Sequence, residues 1–189
     1  LKGADEFAFQ TLAKPGEWLK PSLSLSEQGV DASAATLLLK KKFFFSDGAI
    51  DRNDPINLHL MYVQSRDAVV SGEHPVTRHE ARDLAALQAQ AEFGSYDPEH
   101  HKPGFLVLKD ILPHQFAKHD KHIEKDLIKE WRKLVGMNDA NAKYRYVQLC
   151  RSLKTYGITS YEVRIQEQKD GNKKSGSVIM QPGSNEAVK

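Results

Sequence analysis

Chemistry-bearing side chains are concentrated in one stretch of the 189-residue chain, His100 to Lys154, and most of them are basic. This stretch holds 12 Lys+Arg against 6 Asp+Glu, an excess of +6 in a chain whose net charge is +2, so the remainder carries −4. Five of the eight histidines (His100, His101, His114, His119 and His122) fall within it. Summed positive charge gathers anionic partners over roughly a Debye length of about 10 Å, so phosphate-bearing surfaces are the natural partner class. The bland alternative is an ordinary solvated face.

Other chemistries find less support. His119-x-x-His122 would bring two imidazoles near one helix start, but a zinc site needs three or four convergent ligands with an outer shell. No H-E-x-x-H pattern and no H-x-E with a cysteine pair occurs, so no metal is expected. Histidines among lysines would instead strengthen an anionic contact as pH falls. Cys150, the single cysteine, rules out an internal disulfide framework and lies on the apolar-leaning side of a helix, where a free thiol packs. No G-x-S-x-G, Walker A or G-x-G-x-x-G pattern is present, and the chain is expected to be non-enzymatic with no cofactor. The basic stretch lacks an RNP-type aromatic-basic module, so nucleic acid is not expected as a partner.

These side chains must be positioned by a small set of elements. Residues 1–36 show weak periodicity broken by Gly3, Pro15, Gly16, Pro21 and Gly29. The run Thr36 to Phe45 reads as a strand ending at the turn Ser46-Asp47-Gly48. Helices follow. Asp54-Pro55 supplies an N-cap and a first-turn proline, with Ile56, Leu60 and Val63 as the expected apolar stripe and Gly72 and Pro75 as terminators. Thr77-x-x-Glu80 is a capping box ahead of Leu84, Leu87 and Ala91, closed by Gly94. A helix from about Asp120 to Val135 places Ile123, Leu127, Ile128, Trp131, Leu134 and Val135 on one face, ending at Gly136. A last helix, capped by Asn138 or Asp139, carries Ala142, Tyr146, Leu149 and Leu153. Beyond Gly157 the period becomes two (Tyr161, Val163, Ile165), then QKDGNKK forms a turn and SGSVIM a second strand. Trp18 and Phe116 are the aromatic residues expected to be partly exposed at a lobe interface, and of Phe43 to Phe45 at least one must face outward. No apolar run reaches the length of about 18 residues needed to span a bilayer.

Strand, four-helix module, strand is the join between lobes of a FERM region, and several segments resemble talins. They are TLLLKKKFFFSD, DPINLHLMYVQSRD, SGEHPV, HKPGFLVLKDILP and AKYRYVQLCRSLKTYG, with EQGVD upstream. The resemblance covers roughly residues 25–165 and implies an α+β fold, mostly helical. Its centre is a four-helix bundle shaped like acyl-CoA-binding protein, flanked by partial β-rich lobes. By this analogy residues 1–48 end a ubiquitin-like lobe, 49–156 form the helical lobe, and 157–189 begin an incomplete phosphotyrosine-binding-like lobe. The missing initiator methionine and the divergent tail SGSVIMQPGSNEAVK lead us to expect a fragment of a longer parent.

The resemblance also implies a role: a cytoplasmic adaptor at the inner face of the plasma membrane, docking on phosphoinositides and helping to link adhesion receptors to actin. Receptor tails and actin would be reached only through the longer parent. The family's lipid-facing lysines match Lys102 and Lys109, and Lys118 and Lys121 extend the same region. A third family lysine falls near Glu80, and Arg78 is the expected substitute. Lys169, Lys173 and Lys174, on the expected final turn, correspond to lysines of the third lobe. The competing reading is a pure protein-interaction or spacing module without lipid affinity.

Overall fold

The computed structural model describes residues 7–42, 50–154, 156, 159–166 and 173–180, with the backbone alone for 14–16, 159–166 and 173–180. The chain divides into two units, residues 1–51 and 52–189.

In the first unit, strands β1 (Phe7–Thr11), β2 (Lys14–Trp18) and β3 (Leu37–Lys41) form an antiparallel sheet in the order β2-β1-β3. The β1–β3 register pairs Phe7 with Lys41, Phe9 with Leu39 and Thr11 with Leu37. The loop from β2 to β3 is organised by Gln28. Its amide nitrogen donates to the carbonyls of Lys20, Leu23 and Ser24, and its oxygen accepts from the Lys20 N–H. β3 falls within the strand expected from Thr36 to Phe45, whereas β1 and β2 are not legible in the sequence because Pro15 and Gly16 look like breakers. Pro15 is tolerated since β2 is an edge strand with one hydrogen-bonded neighbour. Phe43 to Phe45 and the turn at Ser46-Asp47-Gly48 lie outside the described residues.

In the second unit, the helices are α1 (Pro55–Ser71), α2 (Arg78–Phe93), α3 (Leu108–Ile111), α4 (His114–His119), α5 (Ile123–Trp131) and α6 (Asp139–Ser152). Their starts follow local chemistry. The Asp54 carboxylate accepts the Asn57 N–H at 2.9 Å with Pro55 in the first turn. Thr77 and Glu80 close the expected capping box, and the Asn138 side chain accepts the Asn141 N–H at 2.9 Å. The predicted helix from Asp120 to Val135 is shorter than expected: α5 runs from Ile123 to Trp131 and tightens to a 3-10 turn over Arg132–Leu134. That tightening rotates Val135 off the apolar face, and it is 68% exposed. Gly136 follows at φ 82°, the left-handed conformation a helix terminator needs.

Helix α2 is central, packing against α5, α6 and α3, while α1 packs on α6 and α3. Ala81, Ala85, Ala86 and Ala89 are buried on α2, and their small size lets neighbouring helices approach closely. Leu84, Ile123, Leu127, Trp131, Tyr146 and Val147 fill the interior, each contributing about 1.5–3 kcal/mol through burial. On α1 the buried stripe is Leu58, Met61, Tyr62, Ser65 and Val69, not Ile56, Leu60 and Val63. Apolar and polar residues are both spread around α1, so its own periodicity does not choose a face. On the buried side Tyr62 meets Tyr146 edge-on, with ring centroids 5.1 Å apart.

Beyond the helices, β4 (Thr159–Gln166) and β5 (Lys173–Met180) pair antiparallel. Lys173 pairs with Gln166 and Lys174 with Ile165, so both are strand residues and not part of the turn where they were expected.

Candidate functional site

The segment from Asp97 to Lys109 has little regular structure, yet it is tightly held. The His101 N–H donates to the Asp97 carbonyl at 2.7 Å, and the Asp97 N–H donates back to His101 Nδ1 at 2.9 Å. The imidazole stacks on Trp131, with centroids 4.7 Å apart and planes at 29°, and lies 4.7 Å from Phe105 and 5.7 Å from Tyr96. Trp131 is itself fixed: its Nε1–H donates to Gln90 Oε1 at 3.1 Å and to the Gly94 carbonyl at 2.9 Å. Gln90 Nε2 in turn donates to the Met137 carbonyl at 2.6 Å.

Onto this aromatic pin is built a turn. The Phe105 N–H donates to the Lys102 carbonyl at 2.9 Å, and Gly104 takes a left-handed φ of 85°. The Gly104 N–H donates to Glu124 Oε1 at 2.8 Å, which fastens the turn to α5. The result is an outward-facing ridge. Lys102 and Lys109 are exposed, and between them Phe105 and Val107 are 41% and 54% exposed. Phe93, itself 43% exposed, meets Phe105 edge-on at 5.1 Å. Trp18 and Phe116, the aromatic residues expected to be partly exposed, are half-buried.

Lys118 and Lys121 continue the basic run on either side of Asp120, at the elbow between α4 and α5. On α5, Ile123, Leu127 and Trp131 are buried at a spacing of four. Lys125 and Lys129 follow the first two of these by two residues, a rotation of about 200°, and are exposed. Among the described residues, Lys102, Lys109, Lys118, Lys121 and Lys125 have no carboxylate partner, while Lys129 lies within the field of Glu130 without a direct ion pair. Other lysines have one: Lys133 pairs with Glu130 at 2.6 Å and Lys143 with Asp139 at 3.0 Å.

Arg78 differs from the lysines it was grouped with. Its Nε donates to Asp120 Oδ2 at 2.5 Å and its Nη2 to Asp126 Oδ2 at 2.7 Å. These bonds hold both carboxyls below the usual aspartate range and push the guanidinium up. Its charge is therefore shared with two aspartates of the same chain, unlike that of the exposed lysines. Lys169 lies outside the described residues, and only the backbone is described for Lys173 and Lys174.

The five histidines of the basic stretch divide in two. His100, His114, His119 and His122 are exposed, while His101 belongs to the aromatic cluster. His119 and His122 fall on opposite sides of the elbow, as the last residue of α4 and the residue before α5, not on one helix start. Among the described residues no group of three or more His, Cys, Asp or Glu is arranged to hold a metal ion. Cys150 is fully buried, and burial pushes its thiol up to about 12. Among the described residues no helix is long and apolar enough to cross a membrane.

The FERM central domain family profile matches residues 50–161. Talin-A of Dictyostelium discoideum is 53% identical over 167 residues, covering 88% of this chain and 6% of that protein. Talin-1 of Gallus gallus is 44% identical over 147 residues, covering 78% of this chain and again 6% of the relative. The chain thus spans only a small part of the length of these relatives. In three dimensions it is similar to the FERM domain of Drosophila Merlin, crystallised in complex with the C-terminal domain. The TM-score is 0.67 at 20% identity, covering 83% of this chain and 55% of that one. At that identity the likeness speaks for the fold alone. A profile match across more than half of the chain, around a bundle of the same architecture, leads to one assignment: the chain belongs to the FERM family, with a central FERM domain and a talin-like sequence.

Proposed function

We propose that the helical unit docks on anionic, phosphoinositide-bearing membrane. In this reading it serves within a longer, non-enzymatic, talin-like adaptor that helps link adhesion receptors to actin at the inner face of the plasma membrane. The observation that carries the reading is the ridge and elbow. Among the described residues, Lys102, Lys109, Lys118 and Lys121 are exposed without carboxylate partners, with exposed Phe105 and Val107 between the first two. A lysine near an anionic leaflet contributes about 1 kcal/mol, so four give about 4 kcal/mol, enough for reversible and salt-sensitive docking. The apolar residues between them suit the boundary between headgroups and acyl chains. Lys173 and Lys174 would add to the same attraction from the hairpin; receptor tails and actin would be engaged through the rest of the parent. Similarity to the talins supports the adaptor role.

The test is sedimentation of the chain with phosphatidylcholine vesicles, with and without phosphatidylserine and a phosphoinositide. Binding should require the anionic lipids and fall as salt rises. In Lys102→Glu/Lys109→Glu, two attractions become two repulsions, about 4 kcal/mol, so affinity should drop about a thousandfold. Equal binding to neutral vesicles, or an unchanged double variant, would overturn the site. Failure to pellet with any vesicle would leave the spacing-module reading in its place.

A further inference from the structure

We infer that Arg78 is a positioning residue of the docking face, holding the α4–α5 elbow to α2 and cancelling the elbow's two carboxylates. The inference rests on the membrane reading for its consequence, though not for its geometry. The elbow is where the lysine run meets acid. Between residues 118 and 129, four lysines (Lys118, Lys121, Lys125, Lys129) stand against Asp120, Glu124 and Asp126, a net of +1; Arg78 raises it to +2. Glu124 is occupied by the Gly104 N–H, leaving Asp120 and Asp126 as the carboxylates that compete with an anionic surface for nearby lysines.

Arg78 stands at the first turn of α2, and its fork takes one oxygen from each aspartate. A lysine, with one nitrogen on a flexible stem, does not reproduce that two-carboxylate geometry. Asp120 also accepts the His122 N–H through its other oxygen at 3.0 Å, so the arginine holds the residue that turns the chain into α5. Without Arg78, two like charges face each other at the elbow, with Lys118 and Lys121 beside Asp120, and Lys125 and the Asp83-paired Arg82 near Asp126. Those lysines then pair with the aspartates and are lost to the surface. Arg78 therefore acts through its neighbours and need not touch lipid.

Two readouts on the full chain test this. In lipid-free protein, Arg78→Gln should speed amide hydrogen exchange across residues 118–126, leaving α6 unaffected. In sedimentation with vesicles containing phosphatidylserine and a phosphoinositide, Arg78→Gln should weaken binding more than tenfold, against about fivefold for Lys118→Gln, the loss of a single free charge. Arg78→Gln/Asp120→Asn/Asp126→Asn should return to native affinity or better, although the clamp stays broken. Unchanged exchange at the elbow, a loss no larger than that of Lys118→Gln, or no recovery in the triple variant would each overturn the inference. Should Arg78→Gln fail to fold, Asp120→Asn/Asp126→Asn with Arg78 retained decides instead: exchange should rise without any loss of vesicle binding, and a loss overturns it. If the native chain binds no anionic vesicle, the docking reading fails while the exchange experiment still decides whether Arg78 holds the elbow.

Discussion

Replacing Trp131 with phenylalanine tests whether the ridge is held by the hydrogen-bonded aromatic pin or merely by apolar bulk. Trp131 is fully buried, and its Nε1–H serves both Gln90 Oε1 and the Gly94 carbonyl. Phenylalanine keeps one ring but removes the donor and leaves a gap. Gln90 is 1% exposed, so its orphaned oxygen cannot recruit water easily and costs about 1–3 kcal/mol. The gap adds a part of the 3–5 kcal/mol typical of large-to-small aromatic truncation, giving about 2–4 kcal/mol in all. Against a usual total of about 5–15 kcal/mol, that is a large fraction. Urea unfolding of the full chain, followed by far-UV circular dichroism, reads it as a lower midpoint of the helical transition. The same variant should show faster exchange at Asp97 and His101, since the imidazole loses the surface it stacks on. A destabilisation below about 1 kcal/mol would mean the indole N–H contributes little and the polar pin is not what holds the segment.

Two further outcomes follow from the electrostatics of buried and paired groups. Since burial pushes the Cys150 thiol up to about 12, a thiol-specific reagent at mildly alkaline pH should label the native chain far more slowly than the urea-unfolded one; prompt native labelling would contradict the packing. Asp120 and Asp126 have folded-state values depressed chiefly by hydrogen bonds from Arg78, so their stabilisation is complete above the unfolded aspartate value of about 3.9 and is lost as pH falls through the folded values. Urea midpoints of native and Arg78→Gln chains should accordingly differ at neutral pH and converge in acid; a constant difference would show that the charge on the aspartates is irrelevant to the clamp.

What the sequence determined by itself was the local grammar. Asp54-Pro55, the Thr77–Glu80 box, Asn138 and the glycines at 72 and 136 act over three or four residues, and each sits where its side chain or φ implied. The charge excess between His100 and Lys154 was equally plain, because exposure of lysine is the default, and so was the burial of Trp131, Tyr146 and Cys150.

Only the tertiary structure decided which cations stay free and which aromatic residues come together. Arg78 lies 42 residues from Asp120, and Gln90 lies 41 from Trp131. No periodicity or spacing rule reaches so far, which is why Arg78 reads as one more surface charge and His101 as one more surface histidine. The buried face of α1 is undecided by its sequence for another reason: apolar and polar residues are both spread around it, and only packing on α6, with Tyr62 edge-on to Tyr146, shows which side is inside. Local chemistry starts and stops the elements; the ridge and the elbow take their form because distant residues meet in the folded chain.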